Sequence, residues 1–173
     1  MLGHFIPYLF FATSPNRNEL EFFISHVFGG IATVFCRDDG KPGFHFIIRG
    51  AIAFGEIYFG KDLEMGASRT LDSNPEYKSQ ILLGKPIVFA FESEHKAPPF
   101  GVAIHESARQ EAPEGESPFV SEWWKWSESD ENLCKLFACL KKYYAWCRKD
   151  KSMNYDETRI NFHETLADRY FSS

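Results

Sequence analysis

Apolar positions along the chain change from strand-like to helix-like spacing near residue 18. The first apolar run, 5–12, predicts a buried strand that ends in the turn-forming residues TSPNRN. From residue 18 onwards apolar residues recur every three or four positions, which predicts a helix with one face towards a core. Gly29 and Gly30 allow either close packing of this helix against a sheet or a break in it. The predicted core-facing positions are Leu20, Ile24, Val27, Ile31 and Val34.

The middle of the chain predicts strands on either side of one short helix. RDDGKPG predicts a turn, and 44–60 is a long β-rich run. The polar segment 61–80 is expected to be an irregular surface loop. A helix follows from about Gly84, and PPFGVAIHES predicts a returning strand. The predicted buried positions of this helix are Ile87, Ala90 and Phe91.

The C-terminal third predicts two helices after a Pro-, Glu- and Gly-rich linker at 110–118. One helix runs from about Ser129 to Arg148, and another follows Asp156, which is a suitable N-cap. The buried positions of the first are Leu133, Leu136, Phe137, Leu140, Tyr144 and Cys147, and those of the second are Ile160, His163, Ala167 and Tyr170. The order of elements predicts an α+β fold in which helices pack on a sheet.

Three tryptophans, Trp123, Trp124 and Trp126, precede the first of these helices. We interpret Trp124 and Trp126 as anchors that hold a C-terminal extension to the sheet. The alternative is a binding hot spot for a partner, because tryptophan gives much contact energy at low entropic cost. We therefore divide the chain into an α+β core, residues 1–109, and a linker with a helical extension, residues 110–173.

Composition narrows the classes of function. The chain has 173 residues, of which 44% are hydrophobic and 17% aromatic, including 18 phenylalanines. These proportions predict a folded domain with a broad core, or a core and a partner surface. The net charge of -5 argues against nucleic acid as the partner. No basic signal segment or membrane span is predicted, so we expect a cytoplasmic protein with reduced thiols. The cysteines are Cys36, Cys134, Cys139 and Cys147.

Two segments together carry a resemblance to a known family. IIRGAIAFGEI, followed after an insertion by LLGKPIVFAFESEHKAPPFGVAIHE, resembles the class III nucleotidyl (adenylate/guanylate) cyclase-like superfamily. The match is closest to a bacterial subgroup of undefined activity and covers 5–106. The resemblance implies a ferredoxin-like, βαβ-derived cyclase architecture with an antiparallel or mixed sheet, shortened at its N-terminus.

The same resemblance assigns positions on the central helix, which in the family reads G-x-x-V-N-x-x-A-R-L-E. Val88 stands where the family has the asparagine that orients the ribose. Glu92 stands where the family has the arginine that contacts the phosphates. A glutamate there would repel a triphosphate. The scaffold positions match, and they are Gly84, Ile87, Ala90 and Glu94.

The resemblance also implies two metal-binding aspartates upstream of the long helix. Residues 1–18 contain neither Asp nor Glu, and neutral side chains do not make a two-magnesium site. Asp38 and Asp39 follow the helix, and we interpret them as part of a solvated turn. No cofactor is therefore predicted. Mg²⁺ or Mn²⁺ would be needed if the chain were an active cyclase.

No catalytic residue is predicted, and four residues are candidates for contact with a nucleotide ligand. They are Arg49, Gly84, Lys85 and Glu92. Arg49 has a second interpretation as a buried ion-pair partner of Glu92. The residues His95, His105 and Glu106 suggest an acid–base group, but no nucleophile motif accompanies them, so satisfied or exposed histidines are favoured.

These observations predict a cyclase-like domain that has lost catalysis and acts as a binding or assembly module, as a homodimer. The first alternative is an active nucleotide cyclase that uses unconventional residues, an upstream segment or a partner chain. The second alternative is a protein-interaction domain that uses the polar loop and the tryptophans.

Overall fold

The computed structural model describes residues 12–37, 47–62, 73–127, 129–150 and 155–172. The predicted first strand and the turn with Asp38 and Asp39 lie outside these residues, apart from their terminal residues Ala12 and Arg37. The helices of the described part are α1 (Arg17–Arg37), α2 (Pro75–Ser79), α3 (Lys85–Glu94), α4 (Glu106–Gln110), α5 (Asp130–Lys149) and α6 (Glu157–Ser172). The strands are β1 (Gly50–Ile52), β2 (Tyr58–Phe59), β3 (Leu82–Leu83), β4 (Val102–Ile104) and β5 (Trp123–Trp124). The predicted α+β class is confirmed.

A mixed three-stranded sheet has the order β1–β4–β5. β1 pairs in parallel with β4, so that Gly50 lies opposite Val102. β5 pairs with β4 in the antiparallel direction, with Trp124 opposite Val102. Parallel neighbours need a crossover connection, and α3 lies within it and packs against both β1 and β4. The short strands β2 and β3 form a separate antiparallel pair within the same crossover.

The long β-rich run predicted at 44–60 is wrong in extent. Its described part forms only β1 and β2, which a bend at Gly55 separates. Gly55 has φ 143°, and an added Cβ would lie 2.9 Å from the Pro86 ring, so this position requires glycine. The backbone N–H of Phe54 donates to the Ser107 hydroxyl at 3.0 Å and not to a neighbouring strand. Apolar β-forming residues therefore did not ensure a pairing partner.

Helix α1 is continuous across Gly29 and Gly30, so of the two alternatives the break does not occur. Its start is capped by the Asn16 side chain, which accepts from the Asn18 N–H at 2.9 Å. A Cβ at Gly29 would lie 3.7 Å from the Trp126 ring, whereas no described atom outside the neighbouring helix backbone lies within 4 Å of one at Gly30. Gly29 therefore packs closely against a tryptophan side chain.

The predicted core face of α1 is displaced. The fully buried residues are Phe28, Ala32 and Phe35, while Val34 is 62% exposed. The other predicted positions, Leu20, Ile24, Val27 and Ile31, are half-buried. Because apolar residues occur all around this helix, Phe28 and Phe35 could take the buried side, and Val34 is then exposed.

The described residues of the segment 61–80, which are 61–62 and 73–80, are less irregular than predicted. Residues 75–79 form α2, whose N-cap Asn74 accepts from the Tyr77 N–H at 3.2 Å. The predicted helix at 84 is confirmed as α3, but its predicted buried face is wrong. Pro86 and Ser93 are its buried residues, and Phe91 is 62% exposed. The predicted Ile87 and Ala90 are half-buried.

The tryptophans anchor the C-terminal part of the chain to the sheet, as predicted. Trp126 is buried, and its indole N–H donates to the Phe100 carbonyl at 2.7 Å. The Trp124 carbonyl accepts from the Tyr170 hydroxyl at 2.7 Å, which attaches α6 to β5. The Trp123 indole donates to the Lys96 carbonyl at 3.2 Å.

Helices α5 and α6 agree closely with their predictions. Ser129 caps α5, and Asp156 accepts from the Arg159 N–H at 2.8 Å at the start of α6. All predicted core positions of both helices are buried except Phe137, which is half-buried. One continuous hydrophobic cluster joins residues of α1, the sheet and α5 with Ile160 of α6. Its buried members include Phe28, Phe35, Phe100, Val102, Trp126, Leu136, Leu140 and Tyr144.

Candidate functional site

Arg49, Glu94, Tyr155 and His163 form a polar group that we call the Arg49 cluster. Arg49 immediately precedes β1, and its Nε forms an ion pair with Glu94 at the end of α3. Its Nη1 lies 3.3 Å from His163 Nε2 on α6. The predicted partner Glu92 was wrong, because residues two apart on a helix point to nearly opposite sides. Glu92 is exposed, whereas Glu94 is half-buried.

The hydrogen bonds of His163 define its tautomer. A guanidinium only donates, so Nε2 must accept from Arg49 and Nδ1 must carry the ring proton. Nδ1 therefore donates to the Tyr155 hydroxyl oxygen. Burial, together with the positive charges of Arg49 and Arg159, lowers the pKa of His163 to about 4. The ring is consequently neutral near pH 7.

Burial also affects the tyrosines around this cluster. Burial raises the pKa of Tyr155 to about 12. The pKa of Tyr144, whose side chain is fully buried on α5, is raised by burial as well. Arg49 Nε and Nη1 and both ring nitrogens of His163 have partners within the protein, so the Arg49 cluster joins α3 and β1 to α6. Its geometry is that of a structural connection and not of an open binding site.

The four candidate residues for a nucleotide lie in different surroundings. Arg49 is engaged by Glu94 and His163. Gly84 caps α3, and an added Cβ there would lie 2.5 Å from the Glu56 carbonyl oxygen, so glycine is needed for close packing. Lys85 and Glu92 both point to solvent.

The histidines considered for acid–base chemistry have local structural roles or are exposed. His105 caps α4 by accepting from the Ser107 N–H at 3.0 Å, and its ring stacks on Phe89 with centroids 4.4 Å apart. Glu106 accepts from the Gln110 side chain at 2.7 Å, and His95 is exposed. Within the described ranges, no group of three His, Cys, Asp or Glu side chains is placed to hold a metal ion.

A small cavity lies between the start of α1, the end of β1 and the loop that follows α4. Its volume is about 60 Å³, and its lining includes Arg17, Phe54 and Phe119. Small-molecule sites usually occupy about 300–1,000 Å³, so this cavity accommodates water and not a nucleotide. The Arg17 guanidinium lies over the Phe119 ring at 3.7 Å and donates to the Ser117 carbonyl at 2.8 Å.

Among the described helices, α1 has the most apolar solvent-facing side, which we call the α1 outer face. It consists of Phe22, Phe23, His26, Gly30, Thr33 and Val34. Phe22 is 65% exposed, Phe23 49% and Val34 62%. No charged residue occurs between Glu21 and Arg37. By length and composition alone α1 would suffice to cross a membrane, but its inner side belongs to the protein core.

Each polar side chain on the α1 outer face already makes one hydrogen bond within the helix. His26 Nδ1 lies 2.9 Å from the Phe22 carbonyl oxygen, and the Thr33 hydroxyl donates to the Gly29 carbonyl at 2.7 Å. The Phe22 and His26 rings pack together with centroids 3.9 Å apart. Removing this surface from water would therefore leave few hydrogen-bonding groups unpaired, which lowers the cost of covering it.

A second exposed apolar group lies on α3 and the strand before it. It comprises Leu83, Val88 and Phe91. Charged Lys85 and Glu92 are exposed on the same helix, so this surface is interrupted by charge. The α1 outer face has no such interruption.

No protein-family model, no curated protein and no solved structure matches the chain. The resemblance to the cyclase-like superfamily therefore remains a prediction from the residues quoted above.

Sequence reasoning missed both the role of His163 and the exposure of the α1 outer face. The helical spacing of apolar residues predicted that His163 is buried. It could not predict the polar partners of His163, because Arg49 lies far away in sequence. For α1 a usable signal was present, since 22–36 is uncharged on every side of the helix. A helix that is apolar all round needs more cover than one core provides.

Proposed function

We propose that the chain is a cytoplasmic, non-catalytic binding or assembly module of cyclase-like architecture that pairs with a second copy of itself. The observation that carries the proposal is the uncharged α1 outer face with exposed Phe22, Phe23 and Val34. Contiguous exposed apolar surface on a protein commonly marks an interaction site.

Charge complementarity favours a second copy as the occupant. Glu19 lies in the first turn of α1 and Arg37 in its last turn, at opposite ends of the outer face. A two-fold contact between antiparallel α1 helices places Arg37 of each copy near Glu19 of the other. The same arrangement opposes the two helix dipoles favourably. Such a self-complementary surface is what a two-fold dimer requires.

The size of the surface sets the expected strength. A helix of 21 residues is about 31 Å long, so one exposed side about 10 Å wide offers roughly 300 Å². Stable complexes bury about 800 Å² per partner. We therefore expect a weak, reversible dimer whose population rises steeply with concentration.

The cyclase-like part of the proposal draws support from the crossover. Strand β1, formed by the GAI of RGAI, is followed by helix α3, which begins after Gly84, and by the returning parallel strand β4. This is the order that the resemblance implies. Loss of catalysis is supported by the side chains on α3. Val88 and Glu92 occupy the positions of the ribose-binding and phosphate-binding residues, and both are exposed.

The test of assembly is sedimentation or light scattering over a wide concentration range. The double variant Phe22→Ser/Val34→Ser should raise the dimer dissociation constant at least tenfold. The matched control is Val88→Ser/Phe91→Ser, which removes equally exposed apolar groups from α3 and should leave the constant unchanged. A wild-type chain that stays monomeric at every concentration, or dimerisation lost only in the α3 variant, would contradict the proposal. So would binding of the wild-type chain to neutral lipid vesicles through the α1 outer face.

The test of lost catalysis is incubation with each nucleoside triphosphate and Mn²⁺. We expect no cyclic nucleotide above background. Cyclic product formed in proportion to protein concentration would instead favour the active cyclase. If neither the wild-type chain nor the variants form cyclic nucleotide, the result of this assay does not depend on their oligomeric state.

A further inference from the structure

Gly30 is exposed in the middle of α1, where packing within the described part of the chain does not require a glycine. Gly29 packs on the Trp126 ring, but an added Cβ at Gly30 would meet no described atom outside the neighbouring helix backbone within 4 Å. The backbone at Gly30 is helical, so any residue except proline can adopt it. Glycine destabilises a helix interior relative to other residues. A contact from outside the chain would account for it.

The size of the side chains changes along the α1 outer face. Its N-terminal half carries three rings, those of Phe22, Phe23 and His26. Its C-terminal half carries the smaller residues Gly30, Thr33 and Val34. Two copies of α1 that pack in antiparallel directions therefore bring the rings of one copy opposite the smaller residues of the other. A parallel contact would place rings against rings.

The pairing of Glu19 with Arg37 determines which residues lie at the same level. These two residues are equally far from residue 28 along α1, so residue 28 marks the two-fold axis of the contact. His26 of one copy then lies level with Gly30 of the other. Four residues of the outer side lie within about 20° of one line along the helix, and they are Glu19, His26, Gly30 and Arg37.

The His26 ring is held in place within one copy. Its Nδ1 lies 2.9 Å from the Phe22 carbonyl oxygen, which can only accept, so Nδ1 carries the proton. The ring also packs on the Phe22 ring with centroids 3.9 Å apart. A side chain that is already oriented loses less conformational entropy when a partner binds. His26 is therefore suited to fill a recess on another molecule.

We propose that Gly30 forms a recess that receives the His26 ring of a second copy. The two-fold axis repeats this contact, and the pair of contacts fixes the antiparallel register of the dimer. The inference rests on the proposed function and adds the residues that decide how the two copies fit. The recess also allows a close approach of the two α1 helices, because the distance between packed helices depends on the side chains at their contact.

The variant Gly30→Leu should have opposite effects on the fold and on the dimer. Leucine is a better helix former than glycine, so the melting temperature measured on dilute monomers should rise by about 2 °C. The added side chain fills the recess, so the dimer dissociation constant should rise about tenfold or more. Sedimentation of the full chain over a wide concentration range measures this constant. A contact that depended on apolar area alone would instead be strengthened by leucine.

An exchange of the two side chains tests their direct contact. The double variant His26→Ala/Gly30→Leu places a small residue opposite a large one in the same register. Its dissociation constant should return to within about threefold of the wild-type value, whereas each single variant should dimerise more weakly. A double variant that dimerises no better than Gly30→Leu would overturn the proposal.

The outcomes separate this inference from the proposed function. A wild-type chain that stays monomeric would overturn both. Dimerisation of Gly30→Leu as tight as that of the wild-type chain would overturn only the recess.

Photocrosslinking tests the orientation of the two copies. Benzoylphenylalanine in place of Phe23 should link to Thr33 or Val34 of the second copy, as located by fragment-ion sequencing. A link to 22–26 of the second copy would show a parallel contact and contradict the proposal.

Discussion

Helices α1 and α5 are almost equal in length, 21 and 20 residues, but their exposed sides differ in kind. The exposed residues of α5 are mostly charged, and none is a large apolar side chain. The exposed side of α1 carries two phenylalanines and a valine without any charge between Glu21 and Arg37. Both helices contribute to the same core. The outer side of α5 is therefore suited to contact with water, whereas that of α1 is suited to an apolar neighbour.

The largest effect expected from this comparison is on the buried side of α5. Leu140 is fully buried in the hydrophobic cluster. Leu140→Ala should lower the free energy of unfolding by about 2–5 kcal/mol, through lost burial and the cavity that remains. Chemical denaturation measures this change.

The control for Leu140 is a truncation on the exposed side of α1. Val34→Ala should change the free energy of unfolding by less than about 0.5 kcal/mol when measured on monomers in dilute solution. An equally large loss for Val34→Ala would mean that the α1 outer face is already covered within one copy.

The next effect concerns pH and the contact of α6 with the core. The pKa of His163 is about 4 in the folded chain against an ordinary value of 6.5. Between these values the unfolded chain binds a proton that the folded chain excludes, so stability falls as the pH is lowered. The full contribution is present above pH 6.5, and on the order of 3 kcal/mol is lost by about pH 4.

Denaturation curves collected between pH 4 and 7 test this expectation. The variant His163→Gln keeps an acceptor for Arg49 but cannot titrate in this range. Its unfolding free energy should vary less with pH than that of the wild-type chain, by the amount assigned to His163. Parallel curves for the two proteins would show that the Arg49 cluster does not exclude a proton.

The smallest effect concerns the charged exterior of the C-terminal helices. Lys141 on α5 lies 3.3 Å from Asp168 on α6, and both side chains are more than half exposed. Lys141→Ala should change the free energy of unfolding by less than about 0.5 kcal/mol, because exposed ion pairs are screened by water. A larger loss, measured in the same denaturation assay, would show that the outer side of α5 contributes to stability and would weaken the contrast with α1.

The same contrast explains which parts of the fold the sequence could predict. In α5 and α6 charged residues occupy the outer side, so only one orientation of each helix buries its apolar residues. Leu136 and Ile160 are buried as expected. In α1 every side is apolar, so spacing alone could not choose between Val34 and Phe35. Packing against Phe100 and Tyr143 made that choice, and both partners are distant in sequence.

Long-range pairing also limited the prediction of the strands and of the candidate site. The apolar residues Ala53, Phe54 and Ile57, between β1 and β2, lie in no strand, which local propensity does not reveal. The face of α3 that meets β1 determines which glutamate forms an ion pair with Arg49. Glu94 lies on that face and Glu92 does not. The protonation state of His163 is set by its tertiary contacts, which the sequence does not show. From spacing alone, a histidine at a buried helical position cannot be distinguished from any other core residue.

The position of β5 in the sheet has a consequence for folding during synthesis on the ribosome. β4 is the central strand, and one of its edges is covered by Trp123 and Trp124, which are translated after it. Until they emerge, β4 leaves the exit tunnel with unpaired backbone groups beside a hydrophobic sheet, the kind of edge that recruits other chains. Slow translation between β4 and β5 should therefore favour aggregation or chaperone capture of the nascent polypeptide.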